Sequence, residues 1–193
     1  MHFQDIPTLT RGTYEVNCSL AYLSETIARY QDGGTAHSDL NLLPDFQRGH
    51  VWTRLQQIAF VEFFLKGGMS GRVLYFNCPN WGHFCHIPKG EYNEFVIVDG
   101  LQRLTALLKF INGKLPIYGN WVLPKGQIPL SNRTYFEGRI RQLNANDNLL
   151  ININHLQTRD EVLQWYLEMN TGGTQHTKKE IEKVRKMRAE SIV

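Results

Sequence analysis

Cysteine, long apolar runs and a strong charge of either sign are what this chain of 193 residues has little of. Its three cysteines, Cys18, Cys78 and Cys85, are odd in number and too few for a disulfide scaffold, and reduced thiols fit the cytosol. No stretch approaches the ~18 consecutive apolar residues of a membrane span. The start, Met1-His2-Phe3-Gln4-Asp5, lacks the basic-then-apolar pattern of a signal peptide. A cytoplasmic protein with no membrane partner is therefore expected. The net charge of +3 permits contact with nucleic acid or nucleotide without arguing for either. Also missing are G-x-x-x-x-G-K-S/T, G-x-S-x-G and H-E-x-x-H, which removes P-loop ATPases, α/β-hydrolase elbows and zinc metalloproteases.

What is present suits one domain with a real core: 42% of residues are apolar and 20% charged. Tyr14-Glu15-Val16 predicts a short strand. Ser19 is placed to cap a helix in which Leu20, Leu23 and Ile27 recur at helical spacing. Gln31 to Asp39 reads as a loop, and Leu42 to Arg48 as extended, since Pro44 cannot sit in a helix interior. Thr53 and Gln56 form a capping-box pattern ahead of a helix that is apolar on most sides and therefore expected to be central. Arg72 to Phe76 predicts a strand, and Glu94 to Val98 a strand buried on both faces. Helix Gln102 to Phe110 follows, then a loop-rich stretch with Trp121 and a helix over Tyr135 to Leu143. Leu149 to Ile153 alternates apolar and polar residues as a half-exposed strand would. Capping pairs Thr158/Glu161 and Thr177/Glu180 open the last two helices. Strands interleaved with helices predict a mixed α/β fold.

The junction Asp99-Gly100-Leu101-Gln102-Arg103 carries the most chemistry. It lies where a buried strand becomes a helix, and free N–H groups at a helix start form a natural phosphate site. Gly100 lets a ligand approach the backbone, Arg103 offers a planar fork to phosphate oxygens, and Asp99 can hold a divalent metal or orient a water. A second reading stands beside this one: Asp99 and Gln102 as an ordinary capping box, with Arg103 on the surface. Two further stretches are weaker. Pro44 to Trp52 sets Gln47, Arg48 and His50 among aromatics, where Arg48 can contact a phosphate or simply pair with a carboxylate. Tyr166 to Thr174 carries Asn170 and the pair Gly172-Gly173, which suits either an anion nest or a plain helix end.

These three stretches, in this order, resemble the N-terminal domain of the GmrSD-type modification-dependent restriction enzymes, a family similar in fold to the ParB N-terminal domain and sulfiredoxin. Pro44, Gln47, Arg48 and Trp52 match its P-x-x-Q-R-x-x-x-W element. Asp99, Gly100, Gln102, Arg103, Leu104 and Thr105 match D-G-Q-Q-R-L-T, and Tyr166, Asn170 and Gly173 match its later aromatic-x-x-x-N-x-x-G element. The likeness covers about Tyr14 to Lys183. It implies a ParB/sulfiredoxin-like domain over 1–176, a small mixed sheet surrounded by helices, followed by a basic helix over 177–193. It also implies binding of a nucleoside triphosphate with Mg²⁺, and in several members hydrolysis that licenses cleavage of modified DNA. Carried over, Gly100 and Arg103 would hold phosphates, Asp99 and Gln102 would position metal or water, Gln47 and Arg48 would approach the same pocket, and Asn170 and Gly173 would shape its far wall. The family's first Gln is Leu101 here, which puts hydrolysis, though not binding, in question. A C-terminal HNH-type nuclease module is expected to be lacking, so that DNA nicking would fall to this domain or to a partner nuclease.

Weaker signals complete the reading. Cys78, His83, Cys85 and His86 cluster without paired C-x-x-C spacing, so ordinary loop residues are expected rather than zinc ligands. Six of the 21 basic residues lie between Lys178 and Arg188. Lys178, Lys179, Lys183 and Lys186 are candidates for DNA phosphates, or a solvated face interleaved with Glu180, Glu182 and Glu190. The stripe Ile181, Val184 and Met187 is a candidate to dock a partner helix, and an exposed stripe would suggest self-association. Two function classes follow. One is a stand-alone nucleotide-binding domain that hydrolyses its nucleotide and senses or nicks DNA. The other is a non-catalytic phage or mobile-element protein that binds DNA or a host defence protein.

Overall fold

The computed structural model describes residues 12–32, 39–81, 92–115, 148–171 and 178–191. His83, Cys85, His86, Trp121, the helix expected over Tyr135 to Leu143, Gly173 and Thr177 lie outside them. In chain order the described elements are β1 (Tyr14–Ser19), a 3-10 turn (Leu20–Tyr22), α1 (Leu23–Gln31), β2 (Leu40–Asn41), α2 (Arg54–Leu65), β3 (Val73–Asn77), β4 (Phe95–Asp99), α3 (Leu101–Ile111), β5 (Asn148–Asn154), α4 (Arg159–Thr171) and α5 (Lys178–Ser191). Ser19 was expected to cap a helix, but it precedes the 3-10 turn and its side chain makes no cap bond.

The strands form one sheet of order β1-β5-β3-β4-β2. It is mixed: β1 is antiparallel to β5, β5 parallel to β3, β3 antiparallel to β4, and β4 parallel to β2. Alternation of side chains sends Leu74, Phe76, Phe95, Ile97, Leu149, Ile151 and Ile153 into one core with residues of α1, α2 and α3. The other face sends Tyr75, Val96 and Val98 against Val162, Trp165 and Tyr166 of α4 and Val184 of α5. Helices on both faces explain why β4 is buried through its first four residues. The fold is mixed α/β, as its alternating elements predict.

Two elements sit differently from expectation. β5 is paired on both edges and covered on both faces, so its polar positions Asn152 and Asn154 are buried as well. One end of each amide is paired: Asn152 donates to Glu15, and Asn154 accepts from the Thr13 hydroxyl and the His155 N–H, while Asn152 Oδ1 and Asn154 Nδ2 are buried without a partner among the described residues. α2 is peripheral, not central. Its capping box forms, with the Thr53 hydroxyl accepting from the Gln56 N–H and the Gln56 carbonyl oxygen accepting from the Thr53 N–H. Yet Leu55 is 78% and Phe63 44% exposed, while polar Gln57 turns inward to donate to the Trp52 carbonyl and accept from Lys109. Among the described residues no helix is long and apolar enough to cross a membrane.

Candidate functional site

β4 delivers Asp99 to the sheet edge, and the chain turns into α3 at one residue, Gly100. That residue has φ +105°, a left-handed conformation. It also has no room for a side chain, because a Cβ would lie 2.6 Å from Leu74 Cδ2. No side chain caps α3. The first intrahelical bond runs from Leu104 N–H to the Gly100 carbonyl, which leaves the N–H groups of Leu101, Gln102 and Arg103 ahead of it. The capping box read from Asp99 and Gln102 does not form, because both side chains are engaged elsewhere.

Asp99 Oδ2 accepts from Arg103 Nη2 at 2.5 Å, and Arg103 Nη1 donates to the Val73 carbonyl at 2.8 Å. Arg103 is thus a mostly buried brace between α3 and β3 and not a surface residue. Gln102 uses both ends of its amide on the preceding loop. Its oxygen accepts from Val51 N–H and Trp52 N–H, both at 3.1 Å, and its nitrogen donates to the Gly49 carbonyl at 2.8 Å. It holds segment 49–52 against α3, a different part from the handling of metal or water that the resemblance implied.

β2 covers only Phe95 and Val96 of β4. Beyond it the Gln47 amide takes over the open strand edge, donating to the Ile97 and Val98 carbonyls at 3.2 and 2.8 Å. This pins the next residue, Arg48, whose Nη1 lies 3.8 Å from Glu180 Oε2 on α5. Asn170 comes from α4, its amide donating to the Tyr166 carbonyl at 2.7 Å.

Gln47, Arg48, Asp99, Gly100, Gln102, Arg103 and Asn170 all line one cavity of about 460 Å³ at the carboxyl end of β4. In open α/β sheets this is where ligands sit. Its remaining walls come from Trp52, Phe60, Phe63, Ser70, Gly71, Leu101 and Met169. Phe60 and Phe63 escaped the sequence reading because helical periodicity marks them as core and does not say which way the helix faces.

The local electrostatics join the same groups. Burial pushes the Tyr166 hydroxyl up to about 12; Arg48 opposes the rise, and Glu180 and Asp99 add to it. Tyr75 stands opposite Asp99 in the ladder, and burial first, then the Asp99 carboxylate, raise it too.

Other candidates lie apart. His50 lines a separate depression of about 520 Å³, with its Nδ1 3.3 Å from the Thr105 hydroxyl. Of the basic residues on α5, Lys183 donates to the Asp45 carbonyl at 2.7 Å. Lys179 is exposed, and Lys186 is exposed within 3.9 Å of Glu190. The side chain of Lys178 is outside the described set, as is Gly173. Among the described residues no group of three or more His, Cys, Asp or Glu side chains is placed to hold a metal.

Comparison with known proteins adds one match: a family model, the N-terminal domain of the GmrSD restriction endonuclease, aligns with residues 27–185. No curated protein and no solved structure matches the chain.

Proposed function

The chain belongs to the GmrSD restriction endonuclease N-terminal domain family, and from that premise we propose that its cavity binds the polyphosphate of a nucleoside triphosphate in a restriction-related role on DNA. The observation that carries this reading is convergence. Three stretches far apart in sequence bring two guanidinium groups, three amides, a carboxylate and an uncapped helix start to one concavity of ligand size.

Each group has a part. The first-turn N–H groups of α3 would meet a phosphate, and the αL geometry of Gly100 keeps the approach open. Arg48 would supply further positive charge to the same anion. Arg103 would share its fork between Asp99 and the anion, so the phosphate finds it already oriented. A lone carboxylate fits Mg²⁺, which takes one or two protein carboxylates and fills the rest with phosphate oxygens and water. Asp99 would hold it, and the ion when bound would neutralise charge on the phosphates.

Hydrolysis needs one more element, a group that orients the attacking water. The Leu101 side chain offers no polar atom and is buried, and the Gln102 side-chain amide is taken by the 49–52 backbone. That observation favours a second reading within the same site: binding without turnover, with the nucleotide acting as a structural signal to DNA or a partner protein. DNA contact would fall to the exposed Lys179 and Lys186 of α5.

The test measures phosphate release from each nucleoside triphosphate with Mg²⁺, alongside melting temperature with nucleotide and with inorganic tripolyphosphate. Arg48→Ala is the control, since its described ion pair spans a loose 3.8 Å, whereas Arg103 braces two elements. Release lost in Arg48→Ala supports hydrolysis at this site. Stabilisation without release, again lost in the variant, supports binding alone. Absence of both release and stabilisation overturns the proposal.

A further inference from the structure

The cavity has two unlike sides. One carries Arg48, Asp99 and Arg103; the other is aromatic, with Trp52, Phe60 and Phe63. They meet at Gly71, where a Cβ would stand 3.2 Å from both Arg103 Cδ and Phe60 Cε2. A ligand that fills both sides must be anionic at one end and flat and apolar at the other.

Trp52 and Phe60 are partly buried against one another, with ring centroids 5.4 Å apart. Phe63, one turn further along α2, is 44% exposed. Its ring is nonetheless seated: it lies so close over Gly68 that a Cβ there would meet Cε1 and Cζ at 2.4 Å. A ring held by backbone and still open to the cavity is a stacking platform. Among the described residues, the polar groups beside these rings are the Trp52 indole N–H, the Ser70 hydroxyl and the backbone of Gly71. The amide nitrogens of Gln47, Gln102 and Asn170, which line the same cavity, are committed to backbone carbonyls and are not free to read the hydrogen-bonding edge of a base.

We infer that Phe63 is the surface on which the nucleobase stacks, so that the base is recognised by its face and the four common bases bind with similar affinity. This rests on the polyphosphate reading above and adds the position and selectivity of the base. Every base has a π-face, which is why stacking on aromatic side chains is tolerant of base identity.

Calorimetric titration of the full chain with inorganic tripolyphosphate and with ATP, GTP, CTP and UTP separates the two claims. Phe63→Ala is expected to weaken all four nucleotides about tenfold, leave tripolyphosphate unchanged, and be rescued by Phe63→Trp. Arg48→Ala is expected to weaken tripolyphosphate and nucleotides alike. Because Phe63 is exposed, its removal should leave the melting temperature within a few degrees, which confirms the fold of the variant. Unchanged nucleotide affinity in Phe63→Ala, with tripolyphosphate still bound, overturns the stacking assignment and leaves the phosphate site standing. A preference above about a hundredfold for one base overturns recognition by the ring face. Failure of both tripolyphosphate and nucleotides to bind overturns both proposals.

Discussion

Tyr166 illustrates how single side chains of this site answer to burial before charge. Its ring packs on Phe46 with centroids 5.2 Å apart, and its hydroxyl is raised from 10.0 to about 12 by desolvation, with Arg48 pulling the other way. An acid whose folded pKa lies above its unfolded value stabilises the fold below the unfolded pKa. That contribution is lost as pH rises through the folded one. The Tyr166 contribution should therefore hold up to about pH 10 and be lost between 10 and 12, the loss reaching roughly 2 kcal/mol by pH 12. Urea unfolding of wild type and Tyr166→Phe across this range checks it, and the variant should lose less. Tyr30, also raised to about 12 by burial, keeps part of the alkaline loss in both proteins. At this scale the sequence was a partial guide. Arg48, Asp99, Gly100 and Arg103 stood out because few residue types can grip an anion beside a helix start. The use of Gln47 as a substitute strand and of Gln102 as a loop clamp was invisible, since both depend on β2 stopping after two residues.

Among elements, α5 is the one whose surroundings the sequence misrepresented. Its stripe of Ile181, Val184 and Met187 reads as a face for a partner helix or, if exposed, for self-association. Instead it packs into the second core against α4, with Val184 only 1% exposed. Polar ties flank that contact: Lys183 to the Asp45 carbonyl, Arg188 to Asp160 and Gln164, and Arg48 to Glu180. Val184→Ala removes two buried methyl groups and should cost about 2 kcal/mol. Lys183→Ala, at an exposed residue, should cost under about 1 kcal/mol. A lower urea midpoint at unchanged slope, independent of protein concentration, is the expected signature for Val184→Ala. Concentration dependence would restore the intermolecular reading. The same limit explains α2 and β5. Capping pairs at Thr53/Gln56 and Thr158/Glu161 were legible because they are local chemistry. Which face of α2 is covered, and that β5 has neighbours on both edges, are decided by strand order, which no local pattern encodes.

Taken whole, the molecule couples its cavity to its last described helix through one shared group. Arg48 faces the cavity and also leans toward Glu180, so an anion bound as proposed would compete with the α5 carboxylate for the same guanidinium. Both side chains are mostly covered but not dry, which keeps the pair worth roughly 0.5–1 kcal/mol. Glu180→Gln keeps the shape and removes the competing charge. It should therefore tighten tripolyphosphate binding by about two- to fivefold, with the gain shrinking as salt is added because the pair is screened. Loosening of α5 is the reciprocal effect: an anion that draws Arg48 away must weaken the hold on α5 by the same free energy it gives up. Hydrogen exchange should then show faster exchange along 178–191 in wild type with tripolyphosphate bound, and no such change in Glu180→Gln. Equal affinities in the two proteins would mean that Arg48 serves the anion and the helix without conflict, and the coupling would be absent.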